Sequence, residues 1–348
     1  MNSIPIETIF KFGKYTLLTP KSRIEKKPSR QKQFYALFLI FFYTFGEVFT
    51  LVLRIRNMEY RSQTLMQTTL RLIRDLSLYF SVIYSLLRVK RMMRSWYYLL
   101  TNLTYNNTNR KYYWLNVCCL NLSIVTIFFN FATKKLEQFI VRFMKYHFFG
   151  TLKLWSQLFS TFAGIEVLHV VKQCYHLQKI NVQQSGIFIN LPFLEHNLIR
   201  LKNCVIYFNR IFGWNILFGH IFTVCRTLIY IDDNVKGLGK QYNIASSKTL
   251  KLSINIISLV QLWIFQLYLL ILCDQILREF DQIVVILSKV KSILNKKCCE
   301  KCGLKKIEFC RPTFSAARFY GIDFSNTFLG LVGAVVTFLI VLLQFQIN

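Results

Sequence analysis

Long apolar runs alternate along the chain with short basic segments, and the runs have the length of a bilayer crossing. Seven stretches stand out: 34–53, 72–89, 112–132, 147–171, 212–231, 252–272 and 324–346. A helix of roughly 20 mostly apolar residues spans the hydrocarbon core. The first run contains one charged residue, Glu47, and the last contains none. The second is the least apolar, with Arg74 and Asp75 near its start. Two of the intervening segments are helical in pattern as well. Before the fifth run, apolar residues recur at Leu194, Leu198, Leu201, Val205, Phe208 and Phe212, alternating steps of four and three. After the sixth, the same steps join Ile276, Phe280, Ile283, Leu287, Val290 and Leu294. Such steps form a heptad seam. Pro192 suits the first turn of the earlier helix. A single helix over 192–231 would be ~60 Å long, about twice the hydrocarbon thickness. The seams therefore predict helices that leave the membrane and pack in a bundle; helices lying on the leaflet are the other reading. The expected fold is all-α, a polytopic membrane protein with seven transmembrane helices and a cytoplasmic helical bundle.

Charge sets the orientation. The chain is 53% hydrophobic and 16% aromatic, yet carries a net charge of +28. That charge lies between the apolar runs rather than along the face of a soluble domain, so nucleic acid is not an expected partner. Basic residues are more numerous in the N-terminal segment and after spans 2, 4 and 6 than after spans 1, 3 and 5. The positive-inside rule then puts the N-terminus in the cytoplasm and the C-terminus outside. Arg88, at the end of the second run, counts as loop in this reading. Residues 1–33 are polar and basic with no apolar core, so the first span is expected to serve as its own insertion signal. The division that follows is a cytoplasmic segment 1–33, six spans over 34–272 with the extension 192–211, a cytoplasmic helical and anchoring segment 273–323, and a last helix 324–348. This is the reverse of G-protein-coupled receptor topology. All five prolines also lie outside the spans, and neither an acidic-Arg-aromatic triplet nor an Asn-Pro-x-x-Tyr run is present.

Catalytic and metal chemistry finds little support. No nucleophile–base–acid set, phosphate loop or metalloprotease helix is visible, so no enzyme, metal or cofactor is expected. Cys299 and Cys302, with Cys298 and Cys310, make half a zinc pattern in a basic segment, where unmodified thiols or palmitoylation are the simpler readings. Glu166 and His169 are three apart on one span; a structural pair is expected there rather than a metal or proton site.

The end of the chain carries the most specific signal. Thr337-Phe338-Leu339-Ile340-Val341-Leu342-Leu343-Gln344-Phe345 resembles the signature of insect gustatory receptors, Thr-Tyr, five hydrophobic residues, Gln-Phe, with Phe338 in place of the Tyr. Phe314-Ser315-Ala316-Ala317, Gly321-Ile322-Asp323-Phe324-Ser325 and Gly333-Ala334-Val335-Val336 are similar to that family's approach to its last helix. The resemblance implies a tetrameric ligand-gated cation channel in the plasma membrane of chemosensory neurons, homomeric or built with related receptors. Its partners would be a small-molecule tastant, permeant cations and membrane lipid. It implies a last helix whose second part lines the pore, with Val341, Gln344 and Phe345 at the gate. The residues themselves permit this: Thr337, Val341 and Phe345 are four apart and share one helix face, and such a stripe can form a narrow dewetting constriction. An ordinary apolar helix with Gln344 reaching the outer interface fits the same residues.

The resemblance also implies a ligand pocket among the outer halves of spans 2 to 6. On this chain that selects Asp75, Tyr79, Asn130, Trp155, Gln157, Arg226, Asn255 and Gln261, with Lys153, Tyr230 and Trp263 nearby. Ionisable groups at this depth need a partner or a cavity, so a salt bridge among Asp75, Lys153 and Arg226 is expected. The same polar groups could equally serve as glue between helices. A seven-span receptor coupled to a cytoplasmic partner of the G-protein type is the competing function.

Overall fold

The computed structural model describes Gly13, Thr19 and residues 30–56, 65–103, 148–185, 190–238, 246–297 and 311–347. Seven helices are found there: α1 Arg30–Arg56, α2 Leu65–Arg91, α3 Met93–Asn102, α4 Phe148–Ser185, α5 Leu191–Leu238, α6 Ser246–Lys297 and α7 Phe324–Ile347. Five of the seven expected spans fall inside these helices, and a sixth, 147–171, does so from residue 148 onward. The third, 112–132, and the cysteine-rich segment 298–310 lie outside the described residues.

Length separates membrane from bundle. α4, α5 and α6 run for 38, 48 and 52 residues. At ~1.5 Å per residue each exceeds the ~30 Å hydrocarbon layer well before it ends. α5 starts where Asn190 accepts the Phe193 amide at 3.3 Å, and Pro192 occupies the first turn. The two heptad seams face protein. Leu194, Leu198, Leu201, Val205, Phe208 and Phe212 are buried, as are Ile276, Phe280, Ile283, Leu287 and Val290. Their partners are α3 and the C-terminal half of α4. Polar ties flank the seam: Lys172 to Gln275 at 2.8 Å, Lys179 to Glu279 at 2.8 Å, and Arg200 to Asn102 at 3.1 Å. The seams are therefore buried in a helical bundle, not laid on a lipid surface.

α1 is peripheral. Ala36 and Tyr43 pack on Val82 and Leu86 of α2, while Phe34, Phe38, Phe41, Phe45 and Val52 remain exposed. An apolar stripe facing away from the protein is what a lipid-contacting helix presents. Arg88 departs from its expected place in a loop. It is buried in α2, with its guanidinium 4.8 Å from the Phe212 ring and 5.6 Å from Trp96, and donates to the Ile211 carbonyl at 2.9 Å.

The all-α expectation holds, with one short addition. The described residues resume at Arg311, and a two-stranded hairpin stands ahead of α7: β1 Ser315–Ala316 pairs antiparallel with β2 Tyr320–Gly321. Its turn holds Ala317 and Arg318 at φ 51° and 66°, the geometry of a tight hairpin normally filled by Asn or Gly. Phe314, Ala316 and Ile322 enter the main core. Asn209 of α5 grips the hairpin by donating to the Thr313 carbonyl at 2.7 Å and accepting the Ser315 amide at 3.2 Å. Asp323 then caps α7, accepting from the Asn326 side chain at 3.2 Å and, through its carbonyl, from the Thr327 amide at 2.9 Å.

Candidate ligand cavity and pore helix

At the end of the molecule opposite the bundle, five helices leave a cavity of about 310 Å³. Its walls come from the last turn of α1, the first half of α2, the start of α4, the end of α5 and the start of α6. Asp75, Arg226 and Asn255, together with Tyr230, reach its lining. Arg54, Arg74, Phe222 and Asp233 line it as well, and sequence reasoning did not select them. Arg54 stands at the end of a span and reads as ordinary flanking charge; only the packing of α1 on α2 turns it inward.

The charges pair differently from expectation. Asp75 is held by Arg54 and by Arg74, whose Nη2 lies 2.9 Å from its Oδ1. Lys153 pairs with Glu47 of α1, both side chains almost fully buried. Arg226 donates to Ser258 at 2.8 Å and sits 5.9 Å from the Phe222 ring. No salt bridge joins Asp75, Lys153 and Arg226 to one another, because α1 supplies the counter-charges for the first two.

The remaining candidates sit elsewhere. Tyr79 hydrogen-bonds Thr44 at 2.9 Å, and the Trp155 ring stacks on Phe159 at 5.5 Å. Gln157 is buried between helices: it accepts from Ser81 and donates to the Asn215 carbonyl at 3.0 Å. Asn215 in turn donates to Ser85 at 2.8 Å and to Ser160, which makes a polar seam joining α2, α4 and α5. Gly219 makes room for it, since a Cβ there would meet the Gln157 and Gln266 amides at 2.8 Å. Gln261 is half-buried on α6, and Trp263 donates to Thr227 at 3.1 Å. Asn130 lies outside the described residues. His169 bonds Tyr268 at 2.6 Å, and Glu166 is buried one turn away. Among the described residues, no three His, Cys, Asp or Glu side chains gather as a metal site.

A second cavity, of about 450 Å³, separates α5 from the hairpin and the first turns of α7. His220 of α5 hydrogen-bonds the Tyr320 hydroxyl at its edge. Burial pushes the Tyr320 phenol up to about 12, so it stays a neutral hydrogen-bonding group. α7 packs on α5 and α6. It has no charged residue, and Leu329, Val336, Thr337, Ile340 and Gln344 are exposed on the single chain. Val341 and Phe345 belong to the same helix, but their side chains lie outside the described residues.

The sequence matches no family model and no curated protein. The three-dimensional arrangement does find a counterpart. The solved structure of the insect olfactory receptor OR5 from Machilis hrabei, in complex with eugenol, aligns over 98% of this chain and 97% of its own, with a TM-score of 0.61. The fold is that of an insect olfactory receptor. Sequence identity is 10%, so the likeness is one of architecture. Within that architecture, the described helices α1, α4, α5 and α6 are each long and apolar enough to cross a membrane. The bundle, the hairpin and the uncharged last helix make up the rest of the described fold.

Proposed function

We propose that the chain is a ligand-gated, non-selective cation channel of the insect gustatory receptor kind. It sits in the plasma membrane of chemosensory neurons with its N-terminus and bundle in the cytoplasm. Four copies, or a mixture with related receptors, surround a pore lined by α7, and a small-molecule tastant opens it from the five-helix cavity. The observation that carries this reading is α7. It bears the Thr-Phe…Gln-Phe run, has no charge, and leaves Thr337, Val336, Ile340 and Gln344 exposed in one chain. A membrane helix with an exposed mixed face of this kind asks for copies of itself around an axis, with Thr337, Val341 and Phe345 directed along one face.

The test is electrical. In cells with verified surface delivery, sugars and bitter compounds are expected to evoke cation current. Gln344→Ala and Phe345→Ala are expected to change its selectivity or raise its leak. Silence from tetramers at the surface, with a G-protein response instead, would favour the receptor coupled to a cytoplasmic partner.

Orientation has its own readout. Asn102-Leu103-Thr104 is a glycosylation sequon, and Asn102 at the end of α3 accepts from Arg200 in the bundle. The proposed topology keeps Asn102 and Asn106 cytoplasmic, so both are expected to remain unglycosylated when the protein is digested with an endoglycosidase. A mass shift lost in Asn102→Gln would reverse the topology.

A further inference from the structure

Arg226 is the one lining cation of the 310 Å³ cavity for which the structure supplies no carboxylate among the described residues. Charge bookkeeping around the cavity is short. Asp75 is shared by Arg54 and Arg74, and Asp233 is taken by Arg71 at 3.1 Å. Both lining carboxylates are thus committed to arginines other than Arg226. Arg226 makes one hydrogen bond, from Nη2 to Ser258, out of the five N–H donors a guanidinium carries. It projects from the last third of α5, within the expected span 212–231, where an unpaired charge is costly and marks a cavity or a ligand. The surroundings suit the rest of a small molecule. Leu78, Leu154, Phe222 and Leu259 give apolar wall, while Tyr230 and Asn255 add hydrogen-bonding capacity beside the guanidinium. The volume is at the small end of the ~300–1,000 Å³ range for ligand pockets.

We infer that this cavity takes a small organic acid, whose carboxylate pairs with Arg226 and whose short apolar body lies on the Leu78–Leu154–Phe222–Leu259 wall. Beyond its bond to Ser258, Arg226 keeps four of its five N–H donors, enough to meet a carboxylate in a fork, which a neutral alcohol or amide cannot match in charge. Cationic ligands are disfavoured, since three arginines already line the space. The inference deepens the channel reading by naming the ligand class of its proposed cavity, and binding can be measured without current.

The experiment uses the full chain, purified in nanodiscs of neutral phospholipid, and titrates benzoate and hexanoate against benzamide and hexanol by calorimetry. The acids are expected to bind saturably and the neutral analogues about tenfold or more weaker, the scale of losing one partner of a buried charge pair. Arg226→Gln is expected to abolish that preference and Arg226→Lys to keep part of it. The comparison of acids with neutral analogues is made on the unaltered protein, so it stands if a variant fails to fold. Equal binding of acids and neutral compounds would overturn the inference, as would competition by chloride with no saturable organic acid. Mass spectrometry of the purified protein separates sources: a co-purifying long-chain fatty acid displaced by hexanoate would locate the carboxylate in the membrane, and its loss in Arg226→Gln would still support the site. Acid binding without any current would remove the channel and leave the pocket. Current evoked by neutral compounds alone, without acid binding, would remove the pocket and leave the channel.

Discussion

Lys153→Met is expected to destabilise the protein by roughly 3–5 kcal/mol, the cost of removing one partner from a buried ion pair. The Lys153 and Glu47 side chains are 4% and 5% exposed, and one Glu47 oxygen has no other hydrogen bond among the described residues. Without the ammonium, Glu47 would be a lone carboxylate within a membrane helix and would either take up a proton or pull α1 away from α4. Phe149, which fills the space that Gly46 leaves, would lose its seat with it. The double substitution Glu47→Gln with Lys153→Met should recover most of the loss, because a matched pair of uncharged groups leaves no charge to solvate. Thermal unfolding of detergent-solubilised protein and surface abundance in cells both report this. Equal stability of the single and double variants would show that the two side chains do not depend on each other.

Gly213→Ala is expected to lift the hairpin off α5. A Cβ at this position would stand 2.7 Å from the Ala317 amide nitrogen and 3.1 Å from the Ser315 carbonyl oxygen. Both are backbone atoms of the hairpin, one in β1 and one in the turn where Ala317 and Arg318 hold positive φ, so no flexible side-chain end can swing aside. Overpacking of this kind costs about 1–3 kcal/mol, and here it falls on a single docking site. The hairpin leads directly into α7, and the grip of Asn209 on Thr313 and Ser315 lies one turn from Gly213. The expected result is therefore larger in function than in stability: evoked current falls severely while surface abundance changes modestly. Unchanged current in Gly213→Ala would mean that α7 does not depend on the hairpin's position.

Sequence alone determined where helices run and which faces they bury. Apolar runs of bilayer length mark a span whatever lies beside it, and the steps of four and three at Leu194–Phe212 and Ile276–Val290 mark a buried seam before any partner is known. These signals are local, set by the 3.6-residue repeat and by the cost of exposing apolar side chains to water. The resemblance at 337–345 belongs to the same level, since it reads residue order on one helix. Tertiary structure decided every choice of partner. Asp75, Lys153 and Arg226 look alike as buried ionisable groups of similar depth, yet α1 takes the first two through Arg54 and Glu47 and leaves Arg226 facing a cavity. Gln157 and Asn255 are both polar residues on apolar helices, but one closes a seam with Ser81 and Asn215 while the other lines the cavity. Arg88 reads as a loop charge and is buried against Phe212 and Trp96. The hairpin escaped the pattern because four paired residues are too few to carry a period, and its turn uses Ala317 and Arg318 where Asn and Gly would have signalled it. Which helices touch, and at what height, depends on contacts between residues from tens to more than a hundred positions apart, and no periodicity along one segment encodes that distance.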